Sequence, residues 1–419
     1  MRVLFLIAWF APAAVALMIA LGALIAHRTR TRARRTRLHA TVMIVQITTI
    51  GNEETVNEIV RAIRSYGLEF VKRIWVVTEP WAKARYEGID ERIVVPEGFQ
   101  CRARYKARAL EYSRRLRAAR GLDREDVKIV FLDDDSLPTK RYLQKAFESD
   151  ADVCEGITAP RRGYGRLLSH MDDLRTMNCL FACSVFQGLG HPIHVHGEGL
   201  CVRGSSEAIV TWDFPVFASE DLVFGHSALL RGMSWGFIWE YIQITSPFTW
   251  HDFLVQRQRW LWGNIHAVRH VLPLRTTWPV ILKYAQGTFT FAVSSLGIVF
   301  ALTGRLHAVA RLAPWLYASL ALWLATFAFC GAINTGASRG WRRARNLLVA
   351  PLLAWVTSAV AIGVLVVALF KGDPGRFEVI EKTDPKRRQP KPPAPPAAPS
   401  PDDITVVLPE AESLLDIWR

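Results

Sequence analysis

The chain has 419 residues, half of them hydrophobic, with a formal net charge of +14 and a mean hydropathy of +0.13. That length accommodates one large domain or two ordinary ones with additional segments, and a positive mean hydropathy argues against a purely soluble protein. Two arginine clusters, within 28–37 and 339–345, carry most of the excess positive charge. Little is left for a basic face on a folded domain, so we expect no nucleic-acid partner.

Four uncharged apolar runs, at 3–26, 284–304, 312–338 and 346–370, are each long enough to cross a membrane. Buried core helices are the alternative, but soluble helices rarely stay uncharged for so long because one face meets water. The first arginine cluster follows the first run, which favours an anchor over a cleaved signal peptide. We therefore expect an integral membrane protein, in the plasma (inner) membrane if the source is bacterial.

The composition predicts four regions. Residues 1–40 form an N-terminal anchor with a basic juxtamembrane segment, and 41–270 form one α/β domain on the cytoplasmic side. Residues 271–382 form C-terminal transmembrane or interfacial helices, and 383–419 form a proline-rich tail without a packed core.

Within the α/β domain, apolar and β-branched runs predict strands at 42–48, 73–78, 92–95, 127–132 and 152–158. Helices are predicted at 53–66, 102–120 and 139–149, then a mixed helix at 167–186, a helix after Asp221 and another from Thr249. Asn52 is placed to cap the first helix and Asp252 to support the last one. Alternating strands and helices predict a doubly wound, mostly parallel sheet, whose ligands bind beyond the carboxyl ends of the strands.

Three consecutive carboxylates, Asp133, Asp134 and Asp135, directly follow the strand predicted at 127–132. Like charges this close repel unless a cation or water screens them. Mg²⁺ or Mn²⁺ prefers one or two carboxylates together with phosphate oxygens of a substrate, and Asp133 and Asp135 are spaced so that both can face a crevice. An exposed acidic turn is the alternative.

A second acidic pair, Glu220 and Asp221, follows Ser219 at the start of a predicted helix. A carboxylate in this position can act as a general base if it reaches a substrate hydroxyl. A simple helix cap is the alternative.

One helix face carries Gln256, Arg259, Trp260 and Gly263 at positions i, i+3, i+4 and i+7. A guanidinium group binds phosphate in a bidentate manner, and an indole ring suits the apolar face of a sugar. An amphipathic helix at a membrane surface shows the same composition, and the two interpretations are compatible.

A Gly-rich segment carries His191, His194 and His196. A metal site is conceivable there, although such histidines more often bond backbone groups. Glu198 stands between two glycines, which let the backbone approach a ligand closely. The six cysteines form no C-x-x-C pair and no zinc spacing, so we expect reduced, buried thiols.

The order of these motifs resembles that of the processive-type family 2 glycosyltransferases, which include cellulose and hyaluronan synthases: D-x-D, then E-D, then Q-x-x-R-W, then apolar segments. Within this group the chain is most similar to the egghead-type β-mannosyltransferases, through S-P-F-T-W-H-D-F-L-V-Q-R-Q-R-W at 246–260 and F-E-V-I-E-K at 377–382. The resemblance covers roughly 41–382 and implies a GT-A-like α/β domain with transmembrane α-helices.

The resemblance implies a role for each motif residue. Asp133 and Asp135 would hold the Mg²⁺ or Mn²⁺ that bridges the donor diphosphate, and Asp221 would be the catalytic base. The donor would be contacted by Thr49, Glu79, Asp133, Asp134, Gln256 and Arg259, and the acceptor by Trp260, Glu198 and Glu220. Ile50 stands where we expect an arginine in the egghead type, which leaves the nucleotide open.

These roles imply an inverting transfer of a hexose, with mannose favoured, from a nucleotide sugar to a lipid-linked or glycolipid acceptor. GDP-mannose is the favoured donor and a UDP-sugar is possible. Two alternatives stay open: a processive synthase of a β-linked polysaccharide, and a non-catalytic membrane scaffold or transporter. The nearly charge-free apolar runs disfavour a transporter.

Overall fold

The structure, a computed structural model, describes residues 39–161 and 190–273 continuously, parts of 168–188, residues 359–374 and single residues between 277 and 380. These residues belong to the first of two compact units, Met1–Pro385. The apolar run at 3–26 and the tail at 383–419 lie outside the described residues, as do most of 284–304 and 312–338. No helix in the described part of the chain is both long and apolar enough to cross a membrane.

Eight strands of the described residues form one sheet in the order β3-β2-β1-β4-β7-β6-β8-β5. The strands are β1 (Val42–Thr49), β2 (Val71–Thr78), β3 (Glu91–Val94), β4 (Val127–Asp133), β5 (Leu137–Pro138), β6 (Val153–Pro160), β7 (Cys201–Arg203) and β8 (Trp235–Ile244).

The first half of the sheet is parallel as predicted, with β3, β2, β1 and β4 side by side. The second half mixes directions, because the short strand β7 lies antiparallel between β4 and β6, and β5 lies antiparallel to β8. Strand β8, which the sequence did not predict, is parallel to β6.

The helices surround this sheet. In the described residues they include α1 (Glu53–Ser65), α2 (Tyr105–Ala119), α3 (Lys140–Glu148), the π-helical turn Asn178–Cys183 with α4 (Ser184–Gly188), α5 (Gly204–Val210), α6 (Glu220–Leu230), α7 (Trp250–His266) with the π-helical turn Ala267–Val271, and α8 (359–371). The predicted start of the last domain helix is confirmed, since Thr249 caps α7 by accepting from the Asp252 N–H. Asn52 precedes α1 without a side-chain cap bond.

Two apolar layers form on the two faces of the sheet because successive side chains of a strand point to opposite sides. Along β1, Met43, Val45 and Ile47 pack with the buried stripe of α1, whereas Ile44 packs with residues of α2. Each fully buried aliphatic side chain contributes about 1.5–3 kcal/mol. The two layers hold β1, β2 and β4 rigidly side by side.

This packing brings the carboxyl ends of three parallel strands to one edge. Thr48 of β1 lies opposite Asp133 of β4, and Thr49 of β1 lies opposite Thr78, the last residue of β2. Side chains that follow these strands therefore converge there, as expected for a parallel sheet.

Helix α8 packs against α7. The Gln258 side chain donates to the Gly372 carbonyl at 2.8 Å, and the Trp262 indole donates to the Ala368 carbonyl at 2.9 Å. Val364 of α8 is buried against Phe253 of α7. The C-terminal part of the apolar run at 346–370 thus lies against the helix that carries the Q-x-x-R-W motif.

Candidate active site

A cavity of about 280 Å³ opens at the carboxyl edge of β4. It lies between α2, the segment 194–198, the start of α6, and helices α7 and α8. Its charged lining consists of Asp133, Glu198, Glu220, Asp221, Lys106, Arg175, Arg257 and Arg259, with Trp260 beside them. Acids from three distant stretches of the chain therefore converge in one cleft.

The three consecutive aspartates point to different partners. Asp133 lines the cavity and pairs with the Lys106 ammonium. Asp134 turns to the end of β1, where it accepts from the Thr49 hydroxyl at 2.8 Å and from the Asn52 amide at 2.5 Å. Asp135 is only 4% exposed. Its carboxylate lies close enough to Arg259 to favour the charged form of that guanidinium. The three aspartates therefore form a partly buried cluster with defined partners, and the alternative of an exposed acidic turn is wrong.

Lys106, from the first turn of α2, links two acidic motifs. Its ammonium pairs with Asp133 and lies 3.3 Å from the Glu220 Oε1. Burial disfavours the charge on Lys106, but Asp133, Glu220 and Asp221 outweigh that effect and hold its pKa above the usual range. Nothing in the sequence marks Lys106, because a single lysine in a basic helix gives no local signal.

Asp221 lies in the first turn of α6, where its Oδ1 accepts from the Leu222 N–H at 2.8 Å. Burial and the neighbouring Glu220 raise its pKa to about 7, against the opposing charge of Lys106. The preceding residue Ser219 adopts a left-handed conformation with φ of 62°, which sets the direction in which the helix starts. Asp221 thus changes protonation state near neutral pH.

Helix α7 approaches this region closely through Gly263. A Cβ on Gly263 would lie 2.6 Å from the Ser219 Oγ, so only glycine permits this packing. Arg259 lines the cavity, and burial lowers its pKa although four carboxylates oppose the shift. Gln256 is buried on α7 and does not line the cavity, although the sequence placed it on the same face.

Two guanidinium groups lie over the Trp260 ring. The Cζ of Arg257 is 4.3 Å and the Cζ of Arg175 is 4.7 Å from the ring centroid. Arg257 also pairs with Asp172 at 2.5 Å. These stacked cations, which the sequence analysis missed, cover part of the indole surface predicted to lie under an acceptor sugar.

Glu198 is held in the cavity wall by a 2.8 Å ion pair with Arg175. Burial opposes its charge, but Arg175 and His196 hold the pKa of Glu198 well below its usual range. Gly197 beside it leaves room for the cluster, since a Cβ there would lie 2.8 Å from the Lys106 Nζ and 3.4 Å from the Asp221 Oδ2.

Beyond the cavity, Glu79 follows the end of β2 next to Thr49 and Asp134. Burial raises the pKa of Glu79, and Arg108 of α2 opposes this through an ion pair of 2.9 Å. Thr49, Glu79 and Asp134, three of the predicted donor contacts, therefore lie at the same edge of the sheet as Asp133.

Residues 128–334, 49% of the chain, match the sequence model of the glycosyl transferase family group 2. This segment has the sequence features of a family 2 glycosyltransferase domain. The resemblance deduced from the order of its motifs is thereby confirmed, and so is the mixed α/β class of the domain.

Among curated proteins, the chain is similar to the beta-1,4-mannosyltransferase egh of Drosophila melanogaster. The two are 27% identical over 215 residues, which cover 46% of this chain and 45% of that protein. The match thus spans less than half the length of the relative.

Among solved structures, the mannosyltransferase PcManGT of Pyrobaculum calidifontis, in complex with GDP-Man and Mn²⁺, is 13% identical with a TM-score of 0.44. The comparison covers 87% of this chain and 99% of that one. Glucosyl-3-phosphoglycerate synthase of Mycobacterium tuberculosis, in complex with Mn²⁺, UDP and phosphoglyceric acid, is 13% identical with a TM-score of 0.32. Here 49% of this chain and 68% of the other are covered.

Proposed function

We propose that the protein is an inverting hexosyltransferase that transfers mannose from GDP-mannose to a lipid-linked or glycolipid acceptor and forms a β-glycosidic bond. A UDP-sugar is the second choice of donor. One observation carries the proposal: Asp221, whose pKa is raised to about 7, lines the same cavity as Asp133 and Arg259.

In this proposal Asp221 is the catalytic base. A carboxyl group with a pKa near 7 is ionised in a large fraction of the molecules at neutral pH. It is also basic enough to accept a proton from a hydroxyl. The acceptor hydroxyl transfers its proton to Asp221 while its oxygen bonds to the anomeric carbon. The bond from that carbon to the donor diphosphate breaks on the opposite face, so the configuration inverts.

The side chains at the strand ends fit a divalent cation. Asp133 already stabilises a cation, the Lys106 ammonium, and Asp135 adds a second carboxylate of the hard oxygen type that Mg²⁺ and Mn²⁺ prefer. We propose that these two residues hold the ion, which when bound supplies charge neutralisation on the diphosphate. Arg259 contributes a permanent positive charge to the same leaving group.

For the donor nucleotide, Glu79, Thr49 and Asp134 are the proposed contacts beside the diphosphate. For the acceptor, Glu198 and Glu220 are the proposed hydrogen-bonding partners. Trp260 contributes the part of its ring that Arg175 and Arg257 leave open. We propose that these stacked cations orient the indole, so that it limits the acceptor side of the cavity.

Mannose is favoured over other hexoses because the egghead-type stretch at 246–260 forms α7 and its cap, which position Arg259 and Trp260. The similarity to a curated beta-1,4-mannosyltransferase supports the same choice.

We further propose that the protein is membrane-integral, with its catalytic domain in the cytoplasm. The apolar runs and the arginine clusters support this placement. Helix α8 adds a second argument, since Val366, Val367, Leu369 and Phe370 are exposed on it, Phe370 to 89%. Exposed apolar side chains in one short segment are typical of contact with lipid or with another apolar surface. Labelling of single cysteines placed at 38 and 383 in intact and opened vesicles tests the topology.

A donor screen tests the reaction. Purified protein is given GDP-mannose, UDP-glucose or UDP-N-acetylglucosamine with Mn²⁺ and a polyprenyl-linked sugar acceptor, beside Asp221→Asn as the control. We expect transfer from GDP-mannose with one added β-linked sugar, and loss of transfer in the variant. Equal turnover by the wild type and Asp221→Asn contradicts the assigned base. A ladder of products indicates a processive synthase, and no transfer from any donor favours the non-catalytic scaffold.

A further inference from the structure

At the cavity wall, two buried cysteines converge with His196, a histidine that itself lines the cavity. Cys179 and Cys183 stand one turn apart on the π-helical turn, and the chain returns to them at His196. Their ligand-type atoms all lie within 4.8 Å of one another, and all three side chains are buried. The proposed sugar transfer uses none of these three side chains.

The distances within this thiol–imidazole cluster match those of a shared metal ion. The Nε2 of His196 is 3.2 Å from the Cys179 Sγ and 3.7 Å from the Cys183 Sγ. In a tetrahedral zinc site with Zn–S near 2.3 Å and Zn–N near 2.05 Å, a sulfur and a nitrogen ligand are about 3.5 Å apart. A single imidazole nitrogen offers one proton or one lone pair, so it serves one thiol at a time in hydrogen bonding. A metal ion uses all three groups at once.

From these contacts we propose that Cys179, Cys183 and His196 bind a zinc ion. Two thiolates and one neutral imidazole around Zn²⁺ carry no net charge, which suits their deep burial. The three residues supply three of the four ligands of a tetrahedral ion, and the soft sulfur donors select zinc over Mg²⁺ or Mn²⁺. The site is thus chemically distinct from the carboxylate pair Asp133 and Asp135.

Surrounding residues hold the ligands in place. Glu155 accepts the His196 backbone N–H at 2.7 Å, and the Thr158 hydroxyl lies 3.3 Å from the Cys179 Sγ. Such supporting contacts orient metal ligands in known sites. The proposal departs from the expectation of no zinc spacing, since Cys179 and Cys183 form a C-x3-C pair and His196 follows thirteen residues later.

The cluster connects two segments of the chain that line the cavity. His196 is followed directly by Gly197 and Glu198, which line the cavity, and Arg175 lies one turn before Cys179. The Arg175–Glu198 pair thus joins the same two segments on the cavity side. A zinc ion held by His196, which also lines the cavity, would tie these two segments of the cavity wall together.

The test uses the full-length protein purified without chelator. We expect about one zinc per chain by elemental analysis, released when a mercurial blocks the thiols. Replacement by Co²⁺ is expected to produce a thiolate-to-cobalt charge-transfer band, which carboxylate-bound metal does not give. The band should fall to about half its intensity or less in Cys183→Ser, which leaves one thiolate, and keep its full intensity in the matched control Cys101→Ser, whose thiol lies outside the cluster.

The wild-type measurements keep the test decisive if Cys183→Ser does not fold. A zinc content near zero together with no charge-transfer band at excess Co²⁺ overturns the proposal. A mass lower by two hydrogens, located to a Cys179–Cys183 disulfide, overturns it as well, and so does a band of undiminished intensity in folded Cys183→Ser. None of these readouts depends on glycosyl transfer, so the zinc site and the proposed activity are tested separately.

Discussion

The Lys106 ammonium lies 3.3 Å from the Glu220 carboxylate, and the same ammonium pairs with Asp133 at the end of β4. One lysine therefore connects the D-x-D region with the E-D pair, although 87 residues separate Asp133 from Glu220. This link also affects Asp221: burial and Glu220 raise the pKa of that carboxyl, and Lys106 is the group that most lowers it.

The pH profile of transfer reports on Asp221 directly. Because its pKa is raised to about 7, the base form is scarce below that pH and dominant above it. We therefore expect kcat/KM to rise with pH and to level off above about 7. Burial is the main cause of the raised pKa; Glu220 and Glu198 raise it further, and Lys106 and the Leu222 N–H lower it.

Replacing the base itself tests its role. Asp221→Asn is expected to lower kcat by about 100-fold or more while the protein stays folded. The exposed residue Asp123 provides the matched control, since Asp123→Asn removes the same charge outside the cleft. A reduction of similar size in the control would contradict the specific role of Asp221.

Lys106→Met removes the positive charge between the acids. Without it the pKa of Asp221 is expected to rise, because Glu220 and burial then act unopposed, and the pH at which activity levels off should move upward. Lys106→Arg is expected to restore part of the profile, and Lys72→Met, at an exposed position of β2, to leave it unchanged. An unshifted profile in Lys106→Met would rule out this electrostatic link.

Gly197 lies so close to Lys106 and Asp221 that a larger residue does not fit without a shift of its neighbours. A methyl group there would lie 2.8 Å from the Lys106 Nζ and 3.4 Å from the Asp221 Oδ2, so Gly197→Ala must displace the ammonium or the loop. We expect a reduction in kcat with little change in the melting temperature. The control is Gly98→Ala, because a Cβ at Gly98 meets nothing within 4 Å. Normal kinetics of Gly197→Ala would show that Lys106 is free to move.

Metal dependence follows from the proposed carboxylate site. Treatment with EDTA is expected to abolish transfer, and added Mn²⁺ should restore it. Asp135→Asn is expected to raise the Mn²⁺ concentration for half-maximal activity about tenfold or more, because one ligand loses its charge. Activity that persists after exhaustive chelation would remove the divalent ion from the mechanism.

Stability of the domain depends on a buried ion pair between α2 and α5. The Arg117 guanidinium donates to both carboxylate oxygens of Glu207, and the Trp212 indole donates to one of them at 2.8 Å. Glu207→Gln leaves a buried cation without its counter-charge and is expected to cost about 3–5 kcal/mol in the free energy of unfolding. Denaturant titration measures this loss. Glu148→Gln, at an exposed pair with Lys145, should leave the free energy of unfolding unchanged.

Much of the secondary structure in the N-terminal half of the domain could be predicted from the sequence. Strands β1, β2 and β4 are mostly apolar and β-branched, although each contains polar or charged residues, and they end near Thr49, Glu79 and Asp133, respectively. Strand β8 was missed, because its aromatic and charged residues show neither a continuous apolar run nor a clean alternation. The motifs D-x-D, E-D and Q-x-x-R-W were recognisable because each is local in the chain.

The sequence by itself determined which acids and cations belong to the family's motifs, because the motifs and their order along the chain can be identified without knowledge of the fold. Only the tertiary structure decided which of them meet: Lys106 between two acidic motifs, Arg175 and Arg257 over Trp260, and His196 against two cysteines. The physical reason is that charge pairing, cation stacking and metal-type clustering act over a few ångströms in space. Separation along the chain does not encode that distance.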